Sequence, residues 1–382
     1  MIDESRPIFI TGLMRTGSTL FLSLLDNHPE LLVYPDEPSF ERLYDRQYES
    51  PAHLRDDFLF GTPNPLHLYE AIRAEHLDPI GFSARGWEPV PRSLRVASEI
   101  LDRAIQGLKL RGALTDEAAF DFRAYHRVLG RELDALDEIS PRGAILAAAR
   151  AAAAAIPKRT NPRFFVYKQP LPHFREQSVV RFFRDFPDGK LIVLLRDPRA
   201  FLASMLDYTD EERIGLGALL RRELYFLRRL AVLEDDFLGF AGLEARYGAE
   251  RVLILRYESL ILELEETMAR VADFLGIAFD EAMLQPSKLG HPVRVPTAAQ
   301  GAEGGGTRIY DASLERYRDR LGRTRLRLID AALSRYEGKK APLWLPLLRS
   351  SLGLLHRLRP LDQAPSAMIR TGSSPCSAPE TR

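Results

Sequence analysis

Gly12 and Gly17 stand five residues apart between a short apolar run, Pro7–Thr11, and a helical pattern that begins at Ser18. No other stretch constrains the fold as strongly. Pro7–Thr11 (PIFIT) has the length and β-branched, aromatic content of a buried strand. Ser18–Asn27 carries Leu20, Phe21, Leu24 and Leu25 at helical spacing and stops before Pro29. A strand, a glycine-flanked turn and a helix together aim successive backbone N–H groups at one point, with the positive end of the helix behind them. The result is an anion cradle. Arg15 adds a charge and a fork of donors, and Ser18 and Thr19 add hydroxyls. The competing account is a plain strand–turn–helix that needs glycine only for its geometry. The glycine spacing also fits a nucleotidase P-loop, but Ser18 stands where the phosphate-reaching lysine is expected, which disfavours ATP or GTP hydrolysis.

Further strand-like runs lie at Leu31–Val33, Arg163–Lys168, Lys190–Leu195 and Arg251–Arg256, and Glu263–Leu275 has the spacing of an amphipathic helix. This alternation predicts an α/β fold: a mostly parallel central sheet flanked by helices, P-loop-like at its first turn. From about residue 41 to 159 the pattern turns helical, around Ser93–Lys109, Thr115–Leu136 and the alanine-rich Pro141–Ile156. We read that stretch as a mainly helical insertion within one domain spanning residues 1–340. Residues 341–382 form an amphipathic segment and a tail of disordered composition. The segment 341–359 suits peripheral contact with a membrane surface, or packing on the chain's own core or a dimer partner.

Lysine plus arginine and aspartate plus glutamate both total 53, so the 382-residue chain has no overall basic field and no nucleic-acid partner is expected. Any anion site must be built locally. A single cysteine, Cys376, excludes an intrachain disulfide and a multi-cysteine zinc site. The opening MIDESRPIFI lacks the basic start and apolar stretch of a signal peptide, and no run approaches about 18 apolar residues. The expected location is cytoplasmic.

A second constellation is Lys190–Leu206, KLIVLLRDPRAFLASML. Asp197 and Pro198 are accounted for as helix-start residues. Arg196 is not, because it falls at the carboxyl end of a strand, where a parallel sheet opens its ligand crevice. Ser204, two turns along, either reaches the same ligand or is merely solvated. Arg196 and Ser204 together suit a second phosphate.

These two segments resemble those of sulfotransferases that use 3′-phosphoadenosine 5′-phosphosulfate (PAPS). The family's first loop, P-[KR]-[ST]-G-[ST]-[ST], is present as Met14–Thr19, with Met14 replacing the proline. The second, strand–R-[DN]-P–helix with a later serine, is present at Arg196 and Ser204, and Leu255–Ile277 is similar to the stretch after the third major strand. The resemblance implies that Arg15, Thr16, Gly17, Ser18 and Thr19 bind the 5′-phosphosulfate, and that Arg196 and Ser204 bind the 3′-phosphate. It implies transfer of a sulfuryl group to a hydroxyl on a small-molecule or glycan acceptor: a sugar, a lipid-like alcohol or a phenol. No metal is required, because a sulfuryl group carries one fewer negative charge than phosphoryl, and fixed cations and N–H groups can stabilise the departing phosphate.

The same resemblance points to Glu37, in HPELLVYPDEPSF (His28–Phe40), as the general base. Otherwise Asp36 and Glu37 read as turn acids. His126 and His173 are alternative bases. Lys168, in FVYKQPLPH, is similar to a lysine that contacts the bridging oxygen or the sulfuryl group; the alternative is a strand-end lysine facing solvent. Tyr257 either stacks on adenine, as in similar enzymes, or is a core aromatic. Arg308, after Gly304–Gly306, either closes over the 3′-phosphate or belongs to a linker. Two other functions stay open: a P-loop kinase or nucleotidase in which LIVLLRD presents a metal-binding aspartate, and a non-catalytic nucleotide-binding relative.

Overall fold

Five strands, β1 (Ile8–Gly12), β2 (Leu31–Val33), β3 (Phe164–Lys168), β4 (Lys190–Leu195) and β5 (Val252–Arg256), form one parallel sheet in the order β2-β3-β1-β4-β5. The structure is a computed structural model that describes residues 3–34, 38, 40–45, 122–136, 140–156, 162–210, 216–292 and 312–339. The strands are apolar on both sides because both faces of the sheet are covered. Phe9, Phe165, Tyr167, Leu191 and Val193 face one core, and Ile8, Ile10, Phe164, Val166, Ile192 and Leu194 face the other. Phe9 stacks on Tyr167 with ring centroids 5.1 Å apart. Each such buried ring contributes about 1.5–3 kcal/mol relative to leaving it in water.

The second core is closed by α1 (Ser18–Leu25), α9 (Tyr257–Leu262) and α10 (Leu264–Leu275). The first is closed by α3 (Phe122–Asp134), α4 (Pro141–Ala155), α5 (Glu176–Asp185), α6 (Pro198–Asp210) and α7 (Leu216–Ala241). A short α2 (Glu41–Asp45) follows β2, and α8 (Leu243–Tyr247) precedes β5. Toward the C-terminus come the small hairpin β6 (Ser287–Lys288) and β7 (His291–Pro292), then α11 (Ala312–Glu315), α12 (Tyr317–Arg320) and α13 (Arg323–Ala332). Helix α4 begins where the sequence suggests: Ser140 accepts the Gly143 N–H at 3.1 Å and Pro141 opens the first turn. Its alanines lie in the same core as Phe165 and Tyr167, so this helix covers the sheet.

The strands fall within a residue or so of the expected runs. The helix expected at Ser93–Lys109 and the segment 341–359 lie outside the described residues. Among the described residues, no helix is long and apolar enough to cross a membrane. For the site, the register matters most. Ile10 pairs with Lys168, Gly12 with Leu194 and Leu195 with Arg256. The carboxyl ends of β3, β1, β4 and β5 therefore share one rim, where an open parallel sheet binds its ligands.

Candidate functional site

The loop after β1 can be built only with glycine at its ends. Gly12 has φ +138°, and a Cβ there would lie 2.3 Å from the Leu194 carbonyl oxygen of the neighbouring strand. Gly17 has φ +89° and caps α1. Between them Arg15 takes the left-handed conformation, φ 66°, which costs a non-glycine residue roughly 1–2 kcal/mol. The loop is braced against that strain. The Thr16 hydroxyl donates to the Leu13 carbonyl at 2.7 Å. The chain beyond β3 pairs with the loop from outside, Leu171 N–H to Gly12 O at 2.8 Å and Met14 N–H to Leu171 O at 3.0 Å. Thr16 and Ser18 are buried in the turn, while Arg15 and Thr19 are exposed on it.

The second constellation meets the first. Arg15 Nε donates to Ser204 Oγ at 3.2 Å, and Arg196 Nη1 donates to the Arg15 carbonyl at 3.2 Å. Arg15, Arg196 and Ser204 are thus linked by hydrogen bonds at the carboxyl rim of the sheet. Burial lowers the Arg196 pKa most and the Arg15 charge adds to that, while Tyr257 and Glu258 act in the opposite sense. Two arginines joined through the Arg15 carbonyl, with Arg15 also held by the Ser204 hydroxyl, bring two positive charges together at the end of a parallel sheet, an arrangement suited to an anion. Asp197 performs the helix-start task expected of it, accepting the N–H groups of Arg199 at 2.7 Å and Ala200 at 3.2 Å.

Lys168 does not face solvent. It is 4% exposed, and its Nζ donates to Thr19 Oγ1 at 2.8 Å, across the sheet edge from β3 to α1. Tyr257 is 3% exposed and carries the Arg196 guanidinium, with Cζ 4.5 Å from the ring centroid. Its burial matches the core-aromatic alternative. Glu37 and Arg308 lie outside the described residues, as does the side chain of His126 on α3. Flanking Glu37 in sequence, Tyr34 N–H donates to Val166 O at 2.8 Å and Glu41 N–H to Gln169 Oε1 at 3.2 Å. His173 is occupied elsewhere, its Nδ1 3.2 Å from Asp236 Oδ2 and 3.0 Å from Arg229 Nη1, both on α7. Asp236 also accepts the Phe174 N–H at 2.8 Å, which makes this cluster a brace for the turn after Leu171.

Sequence reasoning missed two contributors. Glu258 accepts the Asp197 N–H at 2.8 Å, and Arg199 is bound by Asp330 at 2.6 Å and Glu337 at 2.6 Å. The only available signal was their adjacency to Tyr257 and to the Arg196-Asp197-Pro198 run.

The model of the sulfotransferase family matches residues 7–281. Among solved structures, the chain is similar to the sulfotransferase domain of the Synechococcus PCC 7002 olefin synthase, at 20% identity over 89% of this chain and 98% of that one, with a TM-score of 0.47. The sulfotransferase domain of the curacin biosynthetic pathway matches at 16% identity over 88% of this chain and 99% of its own, with a TM-score of 0.46. Retinol dehydratase, solved with androsterone and the inactive cofactor PAP, matches at 17% identity over 90% and 83%, with a TM-score of 0.38. No curated protein matches.

Proposed function

The chain belongs to the sulfotransferase family, and from that premise we propose that it carries a sulfuryl group from PAPS to an acceptor hydroxyl. The observation that supports this most is the meeting of Arg15, Arg196 and Ser204 at the carboxyl rim of the sheet. One molecule with a phosphate at each end of its ribose can engage both motifs there. The donor set fits such a co-substrate. Arg15 and the N–H groups from Gly17 to Thr19 hold the 5′ end, and Arg196 and Ser204 hold the 3′-phosphate. PAPS supplies an activated sulfuryl group whose leaving group is a phosphate.

The protein's own residues have three tasks. The loop fixes the sulfur in line between acceptor and leaving oxygen, the positioning that dominates transfers of this kind. Lys168, buried and held by Thr19, places a positive charge beside the leaving oxygen as the sulfur–oxygen bond breaks. Glu37 takes the proton as the acceptor oxygen bonds to sulfur, with adenosine 3′,5′-bisphosphate as the other product. The anchoring of Tyr34 to Val166 and of Glu41 to Gln169, on the strand that ends at Lys168 and the residue after it, supports that assignment.

Isothermal titration with adenosine 3′,5′-bisphosphate tests the reading. We expect micromolar binding without Mg²⁺ and none of ATP; ATP binding that needs Mg²⁺, with no bisphosphate binding, would replace it with the kinase-like alternative. An acceptor screen with labelled donor, read by mass spectrometry, then identifies the hydroxyl class. In that assay Glu37→Gln should abolish transfer, and full activity would remove Glu37 as the base.

A further inference from the structure

Arg196 leaves the sheet at the end of β4, and the register sets Tyr257 opposite it, because Leu195 pairs with Arg256. Its guanidinium lies on the Tyr257 ring, 4.5 Å from Cζ to centroid, and reaches across to the Arg15 carbonyl at 3.2 Å. The same ring abuts the first loop: a Cβ built on Gly17 would fall 2.3 Å from Tyr257 Cδ2. From the next position Glu258 holds the turn after Arg196 by accepting the Asp197 N–H at 2.8 Å. A ring that is 3% exposed has almost no surface left on which adenine could stack. It does touch the last glycine of one anion loop and the arginine of the other.

We propose that Tyr257 is a positioning residue: its ring is the spacer that seats the Arg196 guanidinium against the loop of Arg15, and so sets the enzyme's preference for a nucleotide phosphorylated at the 3′ position. This rests on the reading that the crevice takes an adenosine bisphosphate. The flat, delocalised guanidinium suits an aromatic seat, and a misplaced donor loses a charge-assisted bond to phosphate.

The test compares the dissociation constants of adenosine 3′,5′-bisphosphate and adenosine 5′-phosphate, whose ratio reports the 3′-phosphate alone. Tyr257→Met fills similar space without a π face. It should cut the wild-type ratio by about tenfold while leaving the monophosphate constant within about twofold. Tyr257→Phe, which keeps the ring, should restore the ratio. Equal weakening of both nucleotides by Tyr257→Met would make Tyr257 an adenine contact and overturn the proposal, as would an unchanged ratio. Arg196→Lys covers the case in which the methionine variant does not fold. It keeps the charge but not the flat group that lies on the ring, so it should show the same tenfold loss; a lysine variant with the full wild-type ratio would contradict a seat built on that ring. Wild-type protein that binds neither nucleotide would instead overturn the reading of the crevice, and this proposal with it.

Discussion

Lys168 shows what a single residue's surroundings decide. A lysine at the end of a strand reads equally well as a solvent-facing cap or as a catalytic cation, and no local pattern separates the two. The contact that removes the solvent-facing alternative comes from Thr19, 149 positions away in sequence. Folding buries the ammonium and leaves it bonded to a hydroxyl on the first turn of α1, so its desolvation is partly compensated. An interaction with charge that develops only as the leaving oxygen departs should appear in turnover more than in affinity. Lys168→Ala is therefore expected to lower kcat by roughly a hundredfold or more, while the dissociation constant for adenosine 3′,5′-bisphosphate changes much less. Steady-state kinetics beside titration would check this. A loss of affinity as large as the loss of turnover would make Lys168 a ground-state phosphate ligand. The places of Arg15 and Arg196 after strands are legible in the sequence, but their contact through the Arg15 carbonyl is not, because it joins loops 181 positions apart.

At the scale of elements, what the sequence encodes locally could be read from it. The five strands are short apolar runs, and α1, α4 and α10 carry their own start signals or periodicity. Helix α7, the longest described at 26 residues, could not be read the same way. Its buried face includes Arg229, Glu234 and Asp236, charges that break an apolar stripe; Arg229 and Asp236 pair within the helix at 3.8 Å, and distant partners complete the set. Glu234, fully buried, accepts the Arg335 N–H and Nε, the latter at 2.7 Å, and the Tyr336 N–H at 3.1 Å. Helix α6 is the opposite case, since Asp197-Pro198 announces its start and the cap forms as written. Asp197→Ala should lower unfolding free energy by about 1 kcal/mol. Asp197→Asn, whose amide oxygen still accepts, should recover most of it. Urea denaturation of the two variants checks the pair; an alanine variant as stable as wild type would mean that the Glu258 contact alone holds this turn.

Across the whole molecule, α13, the last described helix, and the turn after it are fastened to α6, the helix that begins just after Arg196. Arg199, three residues after Arg196, donates from Nε to Asp330 Oδ1 at 2.8 Å and from Nη2 to Glu337 Oε1 at 2.6 Å, and Lys339 reaches the other oxygen of Glu337 at 2.6 Å. Asp207 faces Arg316 and Arg320 at 3.8 and 4.0 Å, which draws α12 toward the same helix. These contacts are acid-sensitive with a definite sign. Burial alone would raise the pKa of Glu337, but the hydrogen bonds and charges of Lys339 and Arg199 outweigh it and hold the carboxyl below its ordinary value of 4.5. A depressed carboxyl stabilises the fold fully above its unfolded pKa and loses that contribution as pH falls toward the folded value. The melting temperature should therefore be level from neutral pH down to about 5 on this group's account and then decline as pH drops below the ordinary glutamate range. Glu337→Gln should melt lower at pH 7 and decline less steeply from pH 5 to pH 3, because the titrating group is gone. Melts of both proteins across that range decide it, and parallel slopes would mean that Glu337 does not carry the acid response. Titration with adenosine 3′,5′-bisphosphate across the same pH range should show affinity falling in the wild-type protein more than in Glu337→Gln, since on the proposed reading releasing Arg199 loosens the turn that follows Arg196.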